Sequence, residues 1–136
     1  MTPTDAQAIL DTNFAAWVQA LQPKVTAIDT EQATLEIPLT PDVTRVGGII
    51  CGQALATLAD TAMVFACIGH LQKLELVSTV TLDTQFLRPG SGDSIVAEAR
   101  VTRAGKAMIF AQCTLTALPA NKPVALATAT FARPAL

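Results

Sequence analysis

The sequence predicts an α+β fold in which an antiparallel β-sheet wraps around a long central α-helix, with a second helix at the N-terminus. Three observations predict it. The segment from about Gly52 to Gly69 carries apolar residues on every face, among them Leu55, Leu58, Ala62, Phe65 and Ile68. A helix apolar all round is one surrounded by protein. Residues 76–87, 94–103, 107–117 and 123–132 are rich in Val, Ile, Thr, Leu and Phe, the composition of strands. The breaks between them, such as Pro89-Gly90-Ser91-Gly92, Ala104-Gly105 and Pro119-Ala120-Asn121, are too short for crossover helices, so neighbouring strands run antiparallel.

The N-terminal elements follow from the same signals. Ile9, Leu10, Phe14, Trp17, Val18 and Leu21 recur at helical spacing and predict one amphipathic helix over residues 4–21. Thr4 with Gln7 is its candidate capping box, and Pro23 marks its end. Short strands are expected near 24–29 and 32–39, the second from the alternation of Leu35, Ile37 and Leu39. Residues 41–50, with Pro41, Gly47 and Gly48, read as a loop. At about 1.5 Å per residue the central helix spans roughly 27 Å. No internal repeat or linker interrupts the chain, whose 136 residues fit a single domain over 1–136.

Composition narrows the function. Nine basic residues against eleven acidic ones, with no basic run, exclude a nucleic-acid footprint. The N-terminus lacks a basic region followed by an apolar run, so no signal peptide is expected. Cys51, Cys67 and Cys113 form no CxxC or Cys/His cluster, which argues against a disulfide framework or a metal site and suits a reducing cytoplasm. The apolar stretch Val46 to Leu71 has the length of a membrane span. Gln53 and Asp60 lie inside it, and an aspartate at mid-bilayer is costly, so a buried helix in a soluble protein is expected.

Asp60 is the sharpest anomaly, a lone carboxylate with no Lys, Arg or His within a helical turn on either side. Buried carboxylates of this kind cluster at functional sites; the structural alternative is a solvated groove or a hydrogen bond to a neighbour. Gly52 opens the same helix, where free N–H groups and the positive dipole end suit an oxyanion, or where glycine simply eases a tight entry. The two are eight residues apart, about 12 Å along the axis. That is too far for both to reach one carbonyl at about 3 Å. If both act, they come from different subunits, across a two-fold axis that sets two copies of the helix antiparallel. Cys51 reads as a small apolar residue rather than a nucleophile, since no histidine is nearby. His70, the only histidine, belongs to the far end of the helix. Thr79 has a hydroxyl able to orient water for a carboxylate, on a strand where threonine is also common. Arg88, Arg100, Arg103 and Lys106 are candidates for an anionic ligand, or a solvated surface.

These residues resemble a known family. Gly48-Ile-Ile-Cys-Gly-Gln-Ala-Leu-Ala-Thr-Leu-Ala-Asp60-Thr-Ala is similar to the G-x-x-H-G-G-x-x-x-x-L-x-D-x-A signature of phenylacetate-pathway (PaaI-type) hotdog-fold thioesterases. Thr79-Val-Thr-Leu-Asp-Thr-Gln-Phe-Leu-Arg-Pro89 is similar to its T-x-x-x-x-x-x-F-L-R-P strand. Gly92-Asp93, Ala97-Glu98-Ala99, Gly105-Lys106 and Ala127-Thr-Ala-Thr-Phe131 extend the likeness over nearly the whole chain from about residue 24. The resemblance implies a hotdog fold and hydrolysis of an acyl-CoA thioester. It implies Asp60 as general base or nucleophile, Gly52 as N–H donor to the thioester carbonyl, and Thr79 as holder of the attacking water. It also implies no metal, no cofactor beyond the substrate's coenzyme A, and dimers that often pair into tetramers. Arg45, Cys51, Gln53 and Arg88 are the expected substrate-binding positions. Here Cys51-Gly52-Gln53 replaces the family's His-Gly-Gly, and Arg45 stands where Asn is usual, which bears on the substrate. The alternatives are a non-catalytic acyl-CoA or fatty-ligand binding module and, ranked below it, a dehydratase or hydratase of the same fold.

Overall fold

The computed structural model describes residues 1–135. Its elements are α1 (Pro3–Asn13), α2 (Ala16–Gln19), β1 (Lys24–Ile28), β2 (Ala33–Pro38), β3 (Thr44–Arg45), β4 (Ile49–Ile50), α3 (Gly52–Leu71), β5 (Ser78–Phe86), β6 (Ser94–Ala104), β7 (Met108–Leu118) and β8 (Lys122–Ala132). Six strands form one antiparallel sheet in the order β1-β2-β6-β7-β8-β5. The long helix α3 connects the two sides of the sheet and packs across its inner face. This is the hotdog fold, as expected.

Alternation builds that inner face. Leu35 and Ile37 of β2, Ile95 and Ala97 of β6, Ile109 and Leu115 of β7, and Phe131 of β8 are all buried, while most of their neighbours in sequence are more exposed. Many inward positions are alanines, including Ala97, Ala99, Ala111, Ala125, Ala127 and Ala129. Small residues let the helix approach, and Leu58, Met63, Phe65 and Ile68 fill the space between. The apolar stretch therefore lies in the core: α3 is long and apolar enough to cross a membrane, yet most of it is buried within the protein.

Gly69 marks the tightest helix–sheet contact. A Cβ there would stand 2.5 Å from the Asp29 carbonyl oxygen and 2.9 Å from the Ile28 side chain. Alanine is the better helix former by about 1 kcal/mol, but overpacking against backbone costs about 3 kcal/mol. The clash wins, so Gly69→Ala should lower unfolding stability by roughly 2 kcal/mol in a urea titration. A variant as stable as the parent would contradict this packing.

The structure corrects the N-terminal reading. Residues 4–21 are not one helix. The chain leaves helical geometry at Phe14, whose φ of −94° and ψ of 151° are extended, and α2 follows as a separate turn. Tertiary contact decides the break: the Phe14 ring stacks on Phe65 of α3, with centroids 5.3 Å apart. The capping box is also two residues earlier than expected. Thr2 and Asp5 exchange hydrogen bonds of 3.0 and 3.1 Å, with Pro3 in the first helical turn. Gln7 instead ties α1 to the sheet, donating to the Pro23 carbonyl and accepting from the Val25 N–H.

The expected loop over 41–50 contains a small hairpin, β3 paired with β4. The Gly48 N–H donates to the Arg45 carbonyl at 3.0 Å across its turn. Gly47 has a φ of 92°, as the third position of such a turn requires. At the other end of α3, Arg133 grips Glu75 with two hydrogen bonds of 2.7 and 2.9 Å and donates to the Gly105 carbonyl. That clamp fixes the segment leading into β5.

Candidate active site

Asp60 lies near the middle of α3, half-buried, on the face that looks toward β5. Its Oδ1 accepts a hydrogen bond of 2.9 Å from the Thr79 hydroxyl. A bulge makes this contact possible. From Leu82 to Phe86, every second residue of β5 pairs with a buried alanine of β8: Leu82 with Ala129, Thr84 with Ala127, Phe86 with Ala125. Simple alternation would put Thr79 on the opposite, outward face. The register shifts between Thr79 and Thr81, so Thr79 pairs with buried Phe131 and shares the helix-facing side.

Asp60 and Thr79 open into a groove of about 330 Å³. Its walls are Phe14, Trp17 and Val18 from the N-terminal segment, Val64 from α3 and Leu82 from β5. Asp60 is the only charged residue lining it among the described residues. Burial pushes the carboxyl above its ordinary value, and the hydrogen bond from Thr79 offsets part of that rise. The Glu75 ion pairs with Lys73 and Arg133 are the salt bridges among the described residues, and neither includes Asp60. With no cationic partner and half its surface desolvated, Asp60 holds a proton more tightly than an exposed aspartate does.

Gly52 belongs to a different groove, of about 290 Å³, together with Arg45, Phe86 and Arg88. It is the first residue of α3, capped by Cys51, which makes no side-chain capping bond. The N–H groups of Gly52, Gln53 and Ala54 therefore find no acceptor among the described residues. Within one chain Gly52 and Asp60 stay apart, as the helix geometry requires. Arg45 and Arg88 are brought beside Gly52, Arg45 by the β3–β4 hairpin and Arg88 by the turn after β5. Cys51 is half-buried at the helix entry, and Gln53 is exposed and lines neither groove.

The other candidates fall away from both grooves. His70 is exposed at the far end of α3, with Nδ1 3.2 Å from the Thr30 carbonyl. Burial pushes the thiols of Cys67 and Cys113 up to about 12, which leaves them protonated and unreactive. Sequence reasoning missed the role of Phe14, Trp17 and Val18 as groove walls, having placed them on the apolar stripe of a single helix. The sequence carries no separate signal for this: Trp17 falls on the apolar stripe, and only the structure leaves it 59% exposed.

Comparison with known proteins agrees with the fold. Residues 47–123, more than half of the chain, match the thioesterase superfamily. The PaaI protein of the E. coli phenylacetic acid degradation operon is 26% identical, with a TM-score of 0.83 over 97% of this chain and 92% of its own. A thioesterase from Haemophilus influenzae is 18% identical, with a TM-score of 0.87 over 98% of this chain and 91% of its own. Zebra fish thioesterase superfamily member 2 is 20% identical, with a TM-score of 0.85 over 98% of this chain and 99% of its own. No curated protein matches the chain. The signature around Gly52 and Asp60 and the strand that carries Thr79 fall within the matched residues, and the chain belongs to the thioesterase superfamily.

Proposed function

We propose that this protein hydrolyses acyl-CoA thioesters to the free acid and coenzyme A, at sites shared between two subunits. The observation that carries the proposal is Asp60: a carboxylate with no cationic partner, held by Thr79 at the head of an apolar groove. The raised affinity of Asp60 for protons suits a general base. Thr79 positions the water, Asp60 takes its proton, and the hydroxide oxygen bonds to the thioester carbonyl carbon. The carbonyl oxygen gains negative charge, which the free N–H of Gly52 from the second subunit stabilises. Collapse of this intermediate breaks the carbon–sulfur bond and releases coenzyme A thiolate. Direct attack by Asp60, through an acyl anhydride that water then cleaves, uses the same groups. Arg45 and Arg88, beside Gly52, suit the phosphates of coenzyme A. No cofactor beyond that coenzyme is needed.

The edge of β5 supports a homodimer. Among the described residues it has no partner strand on its outer side. Val80 and Phe86 are 53% and 56% exposed, an apolar edge of the kind that proteins cover. A two-fold axis beside β5 sets two α3 helices antiparallel and brings Gly52 of one toward Asp60 of the other. A further pairing into tetramers fits the family resemblance. The free, buried thiols of Cys67 and Cys113 suit a cytoplasmic location. The dehydratase reading loses ground, because His70 lies far from both grooves.

Thiol release measured over short, medium, long and aromatic acyl-CoAs tests the reaction. Its pH dependence tests the base. Asp60 must be ionised to act, so kcat/KM should rise with pH along a limb above the ordinary aspartate value of 3.8. Thr79 favours the ionised form, so Thr79→Val should move that limb to higher pH as well as slow turnover. Saturable acyl-CoA binding without thiol release would instead support the binding-module reading.

A further inference from the structure

The acyl side of the groove is built unevenly. Phe14 is fixed by its stack on Phe65. Trp17 rides on α2, a single turn with no buried residue. That turn is tethered by Gln19, whose Nε2 donates to the Asp11 and Phe14 carbonyls at 2.9 and 3.0 Å. Trp17 therefore lines the groove from a lightly held turn, with more than half of its surface exposed. The volume of about 330 Å³ lies near the small end of ligand sites, which run from about 300 to 1,000 Å³. Beyond Asp60, its lining carries no charge among the described residues.

We propose that Trp17 is the specificity-determining residue of this site: it admits compact, uncharged apolar acyl groups and excludes long-chain and ω-carboxylated ones. The proposal rests on the reading that Asp60 attacks the thioester carbonyl. With that carbon beside Asp60 and the coenzyme directed toward Arg45 and Arg88, the acyl group has the Trp17 groove to enter. A compact acyl group covers the exposed indole and gains apolar contact. A long chain meets the indole as an end wall. An ω-carboxylate enters a space where the one charge this subunit supplies is already negative, with no Lys, Arg or His among its described lining residues to pair it.

The chain has one tryptophan and no tyrosine, so intrinsic emission reports Trp17 alone. Full-length Asp60→Asn protein is titrated with butyryl-, octanoyl-, palmitoyl- and succinyl-CoA and with free coenzyme A. Saturable changes in Trp17 emission are expected with butyryl- and octanoyl-CoA, and none with succinyl-CoA or coenzyme A. In the otherwise unaltered enzyme, Trp17→Ala should raise the palmitoyl-to-octanoyl ratio of kcat/KM by about tenfold, the scale of hydrophobic pocket discrimination. Trp17→Phe should keep the parental order. Equal emission changes with coenzyme A and octanoyl-CoA, or an unchanged ratio in Trp17→Ala, would overturn the proposal. If no acyl-CoA is hydrolysed, the hydrolase reading fails, and the emission titration still decides whether Trp17 contacts the acyl group.

Discussion

Asp60→Asn is expected to lower kcat/KM by about 10³-fold, the scale of a lost general base, without harming the fold. Asparagine has nearly the same shape and can still accept the Thr79 hydrogen bond, so the change removes charge and basicity alone. Stability should move the opposite way from activity. Burial raises the Asp60 pKa in the folded state. The folded protein then holds its proton more tightly than the unfolded chain, and Asp60 costs stability as pH rises through its folded pKa. At neutral pH, Asp60→Asn removes that cost and should melt higher than the parent. Well below the ordinary aspartate value of 3.8 the difference should close, because Asp60 is protonated in both states. Thermal unfolding of both proteins at the two pH values checks the sign. A lower melting temperature for the variant at neutral pH would make the carboxylate structural.

Gly52→Pro is the second large effect, and it isolates a single backbone atom. Proline has no N–H, so it deletes the oxyanion donor. It is otherwise well suited to the site. Gly52 is the first residue of α3, where proline is favoured. Cys51 before it is already extended, with φ −74° and ψ 151°, as a residue preceding proline must be. The main resistance is the Phe86 ring, 3.3 Å from a Cβ at this position. Within one subunit Phe86 is more than half exposed, and a ring contact of 3.3 Å needs a shift of only a few tenths of an ångström. Turnover should fall by about 10²- to 10³-fold, as when an oxyanion-hole donor is removed elsewhere. Far-UV circular dichroism should remain that of the parent. Full activity in a folded Gly52→Pro protein would remove Gly52 from the mechanism.

Much of this architecture is legible in the sequence because it follows from periodicity. The all-round apolar pattern of α3 and the alternation in β2 and β6 to β8 come from burial, which composition records. Asp60 stands out for the same reason, as a charge where the pattern forbids one. What the sequence does not show is decided by contacts between distant segments. The break at Phe14 has no glycine or proline to announce it and depends on Phe65, far along the chain. The bulge that turns Thr79 toward Asp60 leaves no mark in a strand of Thr and Val, where alternation alone assigns Thr79 to the outer face. The hairpin that sets Arg45 beside Gly52 is two residues per strand, too short to carry a pattern. The distance between Gly52 and Asp60, by contrast, follows from helix geometry alone.

That distance makes subunit sharing the central claim, and complementation tests it directly. Each of Asp60→Asn and Gly52→Pro should be nearly inactive alone. In a mixed dimer of the two, one site carries both changes and the other carries neither. Random re-association of equal amounts should then restore about a quarter of parental activity, from one intact site in half of the dimers. Recovery near that level, dependent on mixing under conditions that exchange subunits, is the predicted result. Activity that stays at the level of the separate variants, in mixtures shown to contain mixed dimers, would contradict a shared site.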